Sequence, residues 1–284
     1  MLRLLNIEFH KLKHNRASKV LISIYFFILT LTALIAAIKF DIGPIQFHLA
    51  DMGIFNFPYI WHLNTWLSAQ LKVFLLLVIV SMVANEYSNK TLKQNLIDGL
   101  SKKEFILSKF YTVIAFAAIS TVFVFVVSLV LGLIYSDYTE APIVFSDLEY
   151  LFAYFLKLVA FFSFGLFMGI LVKRSAFAVG GIIIWFLIEN IGFKLFLTWK
   201  YRSGDFNSVQ EKVSEFTQFL PLESMMNLIK EPITKFSAVQ SLAKQVGEDL
   251  SKDYSVHLSD IAIVLFWTFL FMYLSYRLLQ KRDL

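Results

Sequence analysis

Six long apolar runs, near residues 18–40, 63–84, 106–135, 149–172, 176–198 and 258–279, set the terms on which this chain can fold. Each is close to the length of about 20 residues that carries a helix across a hydrocarbon core of about 30 Å. In lipid the backbone has no water to bond with, so a crossing segment must be a helix or part of a closed barrel. These runs are too long and too evenly apolar for barrel strands, which alternate every second residue. The expectation is an all-α integral membrane protein with six transmembrane helices, in a single domain over residues 1–284. Composition agrees, with 58% of residues hydrophobic and 17% charged, against about 25% charged in soluble domains. The first run exceeds the apolar stretch of a signal peptide, about 7–15 residues, and reads as an uncleaved span.

The positions of Lys and Arg orient those spans. Arg3, Lys11, Lys13, Arg16 and Lys19 precede the first run, and Lys90, Lys93, Lys102, Lys103 and Lys109 lie between the second and third. Lys173 and Arg174, then Arg277, Lys281 and Arg282, fall on the same side. The alternate connections, 41–62 and 136–148, hold acidic residues and no Lys or Arg. By the positive-inside rule both termini and residues 85–110 face the cytoplasm, and residues 199–257 form a long loop on the opposite side. That loop carries amphipathic stretches: Val209, Val213 and Phe216 share one face, Pro221 opens another helix, and "FSAVQSLAKQV" repeats the spacing. Short helices on the outer surface and a solvated loop with helical stretches both fit.

Several function classes drop out. With no cysteine, disulfides and thiolate metal sites are excluded. No G-x-x-x-x-G-K-[ST] occurs, so the chain lacks that phosphate-cradling loop, and no Ser/His/Asp set or H-E-x-x-H recommends an enzyme. His10 and His14 have metal-ligand spacing but no acidic or Cys partner placed to complete a site, so neither a metal nor a bound cofactor is expected. The net charge of +5 comes mostly from residues flanking apolar runs, which is topology rather than nucleic-acid recognition.

Residues 85–110 hold more than a tether requires. Leu92, Leu96, Leu100 and Ile106 form an apolar line, with Lys93, Lys102 and Lys103 pointing elsewhere, which predicts a short helix over 89–98 broken at Gly99. Ser101 with Glu104 three residues on is a capping box that starts the next helix. The result is helix, corner, helix; a corner lying in the headgroup region is the plainer alternative. At the N-terminus, residues 1–16 predict an interfacial helix with Leu2, Leu5, Phe9 and Leu12 on one face and Arg3, Asn6, His10 and Lys13 around it. It serves either as a surface anchor or as part of a partner contact.

The order Glu86, then Thr91-Leu92-Lys93, then Gly99-Leu100-Ser101-Lys102-Lys103, then Lys109, between the second and third spans, resembles the type-2 ABC exporter permeases. "FLPLESMMNLI" near residue 219 is similar to an element of the same family. The resemblance implies the transmembrane subunit of a bacterial ABC transporter in the cytoplasmic membrane, with ATP and Mg bound by separate ATPase subunits. It also implies an ATPase-coupling segment comprising Glu86, Thr91, Leu92, Lys93, Leu96, Gly99, Leu100, Ser101 and Lys102, and a second permease copy or similar permease completing the pathway. The Phe-rich composition points to an amphipathic or lipid-like substrate. A non-transporting anchor or sensor that docks through the same loop is one rival reading. An ion-coupled secondary transporter is another, which would place more carboxylates in mid-membrane.

Lys72, Lys157 and Glu189 fall inside apolar runs, roughly 18, 22 and 20 Å from the cytoplasmic ends at about 1.5 Å per residue. Ionisable groups at such depth face a partner or a wet cavity. One expectation is that Glu189 pairs with Lys157 or Lys72; the other is that the lysines snorkel outward and Glu189 caps a break in the fifth span. Gly165 and Gly169 form a small-xxx-small face that lets another backbone approach.

Overall fold

The computed structural model describes residues 2–37, 40–42, 45–47, 53–202, 206–235, 240 and 253–282. The chain is overwhelmingly helical. It opens with α1 (Leu2–His14) and α2 (Arg16–Ala37), followed by a short antiparallel hairpin, β1 (Phe40–Ile42) and β2 (Ile45–Phe47). Two strands of three residues each leave the all-α expectation intact. Then come α3 (Tyr59–Gln70), α4 (Lys72–Ser88), α5 (Thr91–Ile97) and α6 (Lys102–Tyr135). After α7 (Ala141–Val144) and α8 (Glu149–Val172), the helix α9 (Ser175–Leu187) runs through a π-helical turn, Ile188–Phe193, into α10 (Lys194–Lys200). Two short helices, α11 (Phe206–Thr217) and α12 (Pro221–Asn227), precede a 3-10 turn at Ile233–Lys235 and the last helix, α13 (Leu258–Gln280). The stretch "FSAVQSLAKQV" lies outside the described residues, apart from Gln240.

Four helical segments, Lys102–Tyr135, Ala141–Val172, Ser175–Lys200 and Leu258–Gln280, are long and apolar enough to cross a membrane. A fifth is α3 with α4, two helices that meet at Leu71 with a bend of 44°. The expected continuous second span is therefore broken. The fifth run stays one continuous helix, but it contains the π-helical turn, where an extra residue per turn realigns the side chains that follow. At 34 residues α6 is about 51 Å long, more than the roughly 30 Å needed to cross an apolar core.

Helix α8 is the hub. Most of its apolar stretch is buried, whereas the α9–α10 segment leaves its apolar side chains largely uncovered. Gly165 and Gly169 put α8 directly against α4: a Cβ at Gly165 would run into the Leu76 side chain, while one at Gly169 would rest 3.4 Å from Val83 Cβ. The small-xxx-small face is thus spent within the chain. Polar pairs add to this packing where apolar contact alone would not set register. Tyr25 and Tyr154 hydroxyls meet at 2.9 Å between α2 and α8, and Asn64 Nδ2 donates to Ser128 Oγ at 2.9 Å between α3 and α6. Toward the other end, the His62 ring stacks on Tyr150 at 4.0 Å and its Nε2 donates to the Lys230 carbonyl.

Candidate functional site

The segment between α4 and α6 folds as a braced elbow. Lys90, in the left-handed region at φ 56°, turns the chain out of α4 and into α5. Helix α5 ends in a Schellman arrangement: Gly99 sits at φ 97°, its N–H donates to Leu96 O, and the Leu100 N–H returns to Asn95 O at 2.9 Å. Ser101 then starts α6 with both halves of the capping box, the Glu104 N–H donating to Ser101 Oγ and the Ser101 N–H to the Glu104 carboxylate. The observed α5 is shorter than the expected helix over 89–98 because the turn at Lys90 and the cap at Asp98 take its ends. The apolar line is real: Leu92 and Ile106 are buried, and Leu96 and Leu100 pack against the core. Its opposite face is open, with Lys93 exposed and the Ile97 side chain 75% exposed.

Beneath the elbow lies a closed ion network that joins it to α1. Glu86, at the end of α4, is 3% exposed. One of its oxygens accepts from Lys11 Nζ at 2.7 Å and Lys109 Nζ at 2.9 Å. The other accepts from Thr91 Oγ1 at 2.5 Å and Asn95 Nδ2 at 3.4 Å, both on α5. Lys109, fully buried on α6, also donates to Glu8 Oε2 at 2.5 Å, and Ser108 Oγ donates to the second Glu8 oxygen at 3.4 Å. Lys11 closes the ring with a contact of 3.6 Å to Glu8. Two carboxylates and two ammoniums balance, as buried charges must. Burial opposes the charge on Lys11, yet the neighbouring Glu8 and Glu86 carboxylates hold its pKa above the ordinary lysine value.

This arrangement sorts the expected coupling residues by role. Glu86 is an internal strut that the exposed Thr91 braces from α5, and Leu92 is core. Gly99 and Ser101 shape the corner. Lys102 donates to the Gln280 and Arg282 carbonyls at 3.2 and 2.8 Å, so it ties α6 to the end of α13. Arg282 in turn donates to the last carbonyls of α8, at Ile170 and Leu171, and to Tyr87 Oη at 3.4 Å. Lys93, with its neighbour Ile97, is what faces outward. On α1, Leu5 and Phe9 are half-buried and Leu12 buried, while the side chain of Leu2 lies outside the described residues. Glu8, buried at 2% exposure, was not singled out by sequence reasoning. A signal existed, since it is the lone acid among the first 19 residues and falls beside the apolar face. The rings of His10 and His14 lie 4.3 Å apart, but no group of three or more potential ligands gathers among the described residues.

Inside the apolar layer the expected ion pair is not formed. The Glu189 carboxylate accepts from Trp185 Nε1 at 2.9 Å and from the Glu223 backbone N–H at 2.6 Å, with no lysine among the described residues on it. The reason is local geometry. Glu189 sits in the π-helical turn and faces the first turn of α12, whose Leu220 cap offers no side-chain acceptor for the free N–H groups. Lys194 completes the joint, 2.9 Å from the Glu223 carboxylate. Lys72 Nζ instead donates to Ala69 O at 3.0 Å and lies 4.9 Å from the Phe161 ring centre, and Lys157 Nζ reaches Met226 O at 3.4 Å.

The fold and site together give a helical chain with several apolar helices long enough to cross a membrane, and a buried ion network binding its N-terminal helix to a braced interhelical elbow. The chain belongs to DUF2705, a protein family of unknown function, whose profile matches residues 57–284. That match includes Glu86 and Lys109 and begins after α1, which carries Glu8 and Lys11. No curated protein matches the chain.

Proposed function

We propose that this chain is the membrane-spanning permease subunit of an ATP-driven exporter of the type-2 ABC kind, moving an amphipathic or lipid-like substrate. In this reading α2, 22 residues long, and the bent α3–α4 pair join the other four crossing segments as six spans. The basic end, with both termini, faces the cytoplasm of a bacterial cell. ATP and Mg belong to separate ATPase subunits, and a second permease copy covers part of the open α9–α10 face.

The observation that carries the reading is the braced elbow. A short helix presenting Lys93 and Ile97 to a partner is held at its root through Glu86, Thr91 and Asn95. A push on α5 therefore moves α4, α6 and α1 together rather than bending a loop. Lys102 and Arg282 extend that rigid unit to α13 and α8. Such a joint suits the transmission of force from a nucleotide-driven partner to long helices.

The test is co-purification of the full chain in mild detergent, with bound proteins identified by mass spectrometry. Ile97→Asp is the informative variant, because Ile97 is exposed and Leu96 packs inward. An ATPase held by the wild type and lost from Ile97→Asp supports the proposal. Equal retention by both removes the coupling role from α5, and absence of any ATPase from the wild type favours the anchor reading.

A further inference from the structure

Among the described residues, no carboxylate pairs with either of two lysines that share one apolar cavity. The cavity, of about 330 Å³, lies between α4, α8, α9 and α12 and is walled by Phe161, Ile183, Phe186 and Met225 alongside Lys72 and Lys157. Lys157 is 3% exposed. Two carboxylates on the elements beside it are engaged elsewhere: Glu189, in the turn after α9, by Trp185 and the α12 backbone, and Glu223, on α12, by Lys194. Each ammonium has one backbone carbonyl, at Ala69 or Met226, and three protons to place. The Phe161 face stabilises Lys72 further without neutralising it. Two like charges in a largely apolar pocket are costly unless an anion joins them.

We propose that this cavity binds the head group of an anionic amphiphile, a phosphate or carboxylate held between Lys72 and Lys157, with its acyl chain leaving past Ile183 and Phe186. Charge complementarity selects the head group. The exit is set by exposure, since Ile183 and Phe186 are 54% and 44% exposed on the uncovered side of α9. A chain lying there finds only apolar surface, as in other sites that pair a few polar groups with an apolar wall. Met225 and Met226 of α12 roof the cavity, and their unbranched side chains adapt to chains of different shape. The Glu189 joint at the start of α12 holds that roof in place. The inference concerns binding and stands whether or not the chain exports anything.

The full chain, reconstituted in phosphatidylcholine vesicles, is titrated with chain-spin-labelled phosphatidylglycerol, stearate or phosphatidylcholine, and the motionally restricted fraction is read by electron paramagnetic resonance. The wild type is expected to hold an anionic label about tenfold more tightly than phosphatidylcholine, the scale of one charge-assisted contact. Preference for stearate alone identifies a free fatty acid, preference for phosphatidylglycerol alone a phospholipid, and preference for both any anionic head. The preference disappears in the double variant Lys72→Gln/Lys157→Gln and survives in Lys103→Gln, which removes an exposed surface charge. Ile183→Trp, which blocks the mouth and keeps both lysines, also abolishes it. No preference in the wild type overturns the proposal, as does one that persists in both the double variant and Ile183→Trp.

Discussion

Lys109 Nζ lies 2.9 Å from the Glu86 carboxylate and 2.5 Å from that of Glu8, with the lysine fully buried among three helices. A single ammonium thereby holds α1, α4 and α6 at one point. Lys109→Met leaves two carboxylates buried with Lys11 alone and is expected to cost about 3–5 kcal/mol, the usual penalty for breaking a buried pair. Adding Glu8→Gln restores the charge balance, so the double variant recovers a large part of the loss. Thermal unfolding in detergent micelles reads both; a double variant no more stable than Lys109→Met shows the network is not electrostatically closed.

The corner of the elbow depends on backbone shape rather than contact. A Cβ at Gly99 would meet nothing within 4 Å, yet its φ of 97° is strained for any other residue. Gly99→Ala is expected to cost about 1 kcal/mol for that reason alone. Ser101→Ala removes the cap of α6 and costs about 0.5–2 kcal/mol. Hydrogen exchange at the Glu104 amide should quicken in Ser101→Ala, where its acceptor is gone, and unchanged protection would refute the capping role.

The two glycines of α8 should respond unequally. Gly165→Ala collides with Leu76 and is expected to destabilise by about 1–3 kcal/mol, as overpacking does. Gly169→Ala meets ordinary contact and should cost less than half as much. Leu76→Ala combined with Gly165→Ala should be less than additive, measured by thermal melts; strict additivity would mean that the two side chains do not meet.

Glu189 acts as a cap for α12. Glu189→Ala deprives the Glu223 N–H of its acceptor and should expose residues 221–227 to faster hydrogen exchange, at a cost of about 0.5–2 kcal/mol. Glu189→Gln keeps an acceptor and should leave that protection nearer to wild type. Equal exchange in Glu189→Ala and the wild type would end this role.

Just before α13, the exposed Asp253 carboxylate accepts from Ser255 Oγ at 2.5 Å and from the Ser255 N–H at 2.9 Å. The Ser255 side chain first, then its backbone, pulls the Asp253 pKa down to about 2. Because the folded value is depressed, its stabilising contribution is present above the ordinary aspartate range and fades as pH falls toward about 2. Ser255→Ala should raise the Asp253 titration midpoint, followed by carboxyl NMR; an unmoved midpoint would assign the shift elsewhere.

The apolar runs and the Ser101/Glu104 box were legible because they are local: hydropathy and a cap each depend on a few neighbouring residues. The Lys90 turn and the exact length of α5 were less so, since a lysine in the left-handed region carries no sequence mark. Glu8 escaped notice because an acid on a short amphipathic helix reads as a solvated charge until residues 86 and 109 arrive beside it. The pairing expected for Glu189 failed on orientation. Depth along a helix follows from counting, but azimuth is reset by a π-helical turn, and that turn aims the carboxylate at α12.

Taken by itself, the sequence determined that the chain is helical and apolar, which stretches are long enough to cross a bilayer, and where the polar elbow falls, because backbone satisfaction in an apolar medium depends on composition and length. Tertiary structure alone decided which charges meet. Glu8, Lys11, Glu86 and Lys109 come from three separate helices, and Lys72 and Lys157 from two. Whether a buried charge finds its counter-charge or faces a cavity depends on helix rotation and crossing, which side-chain packing around α8 sets.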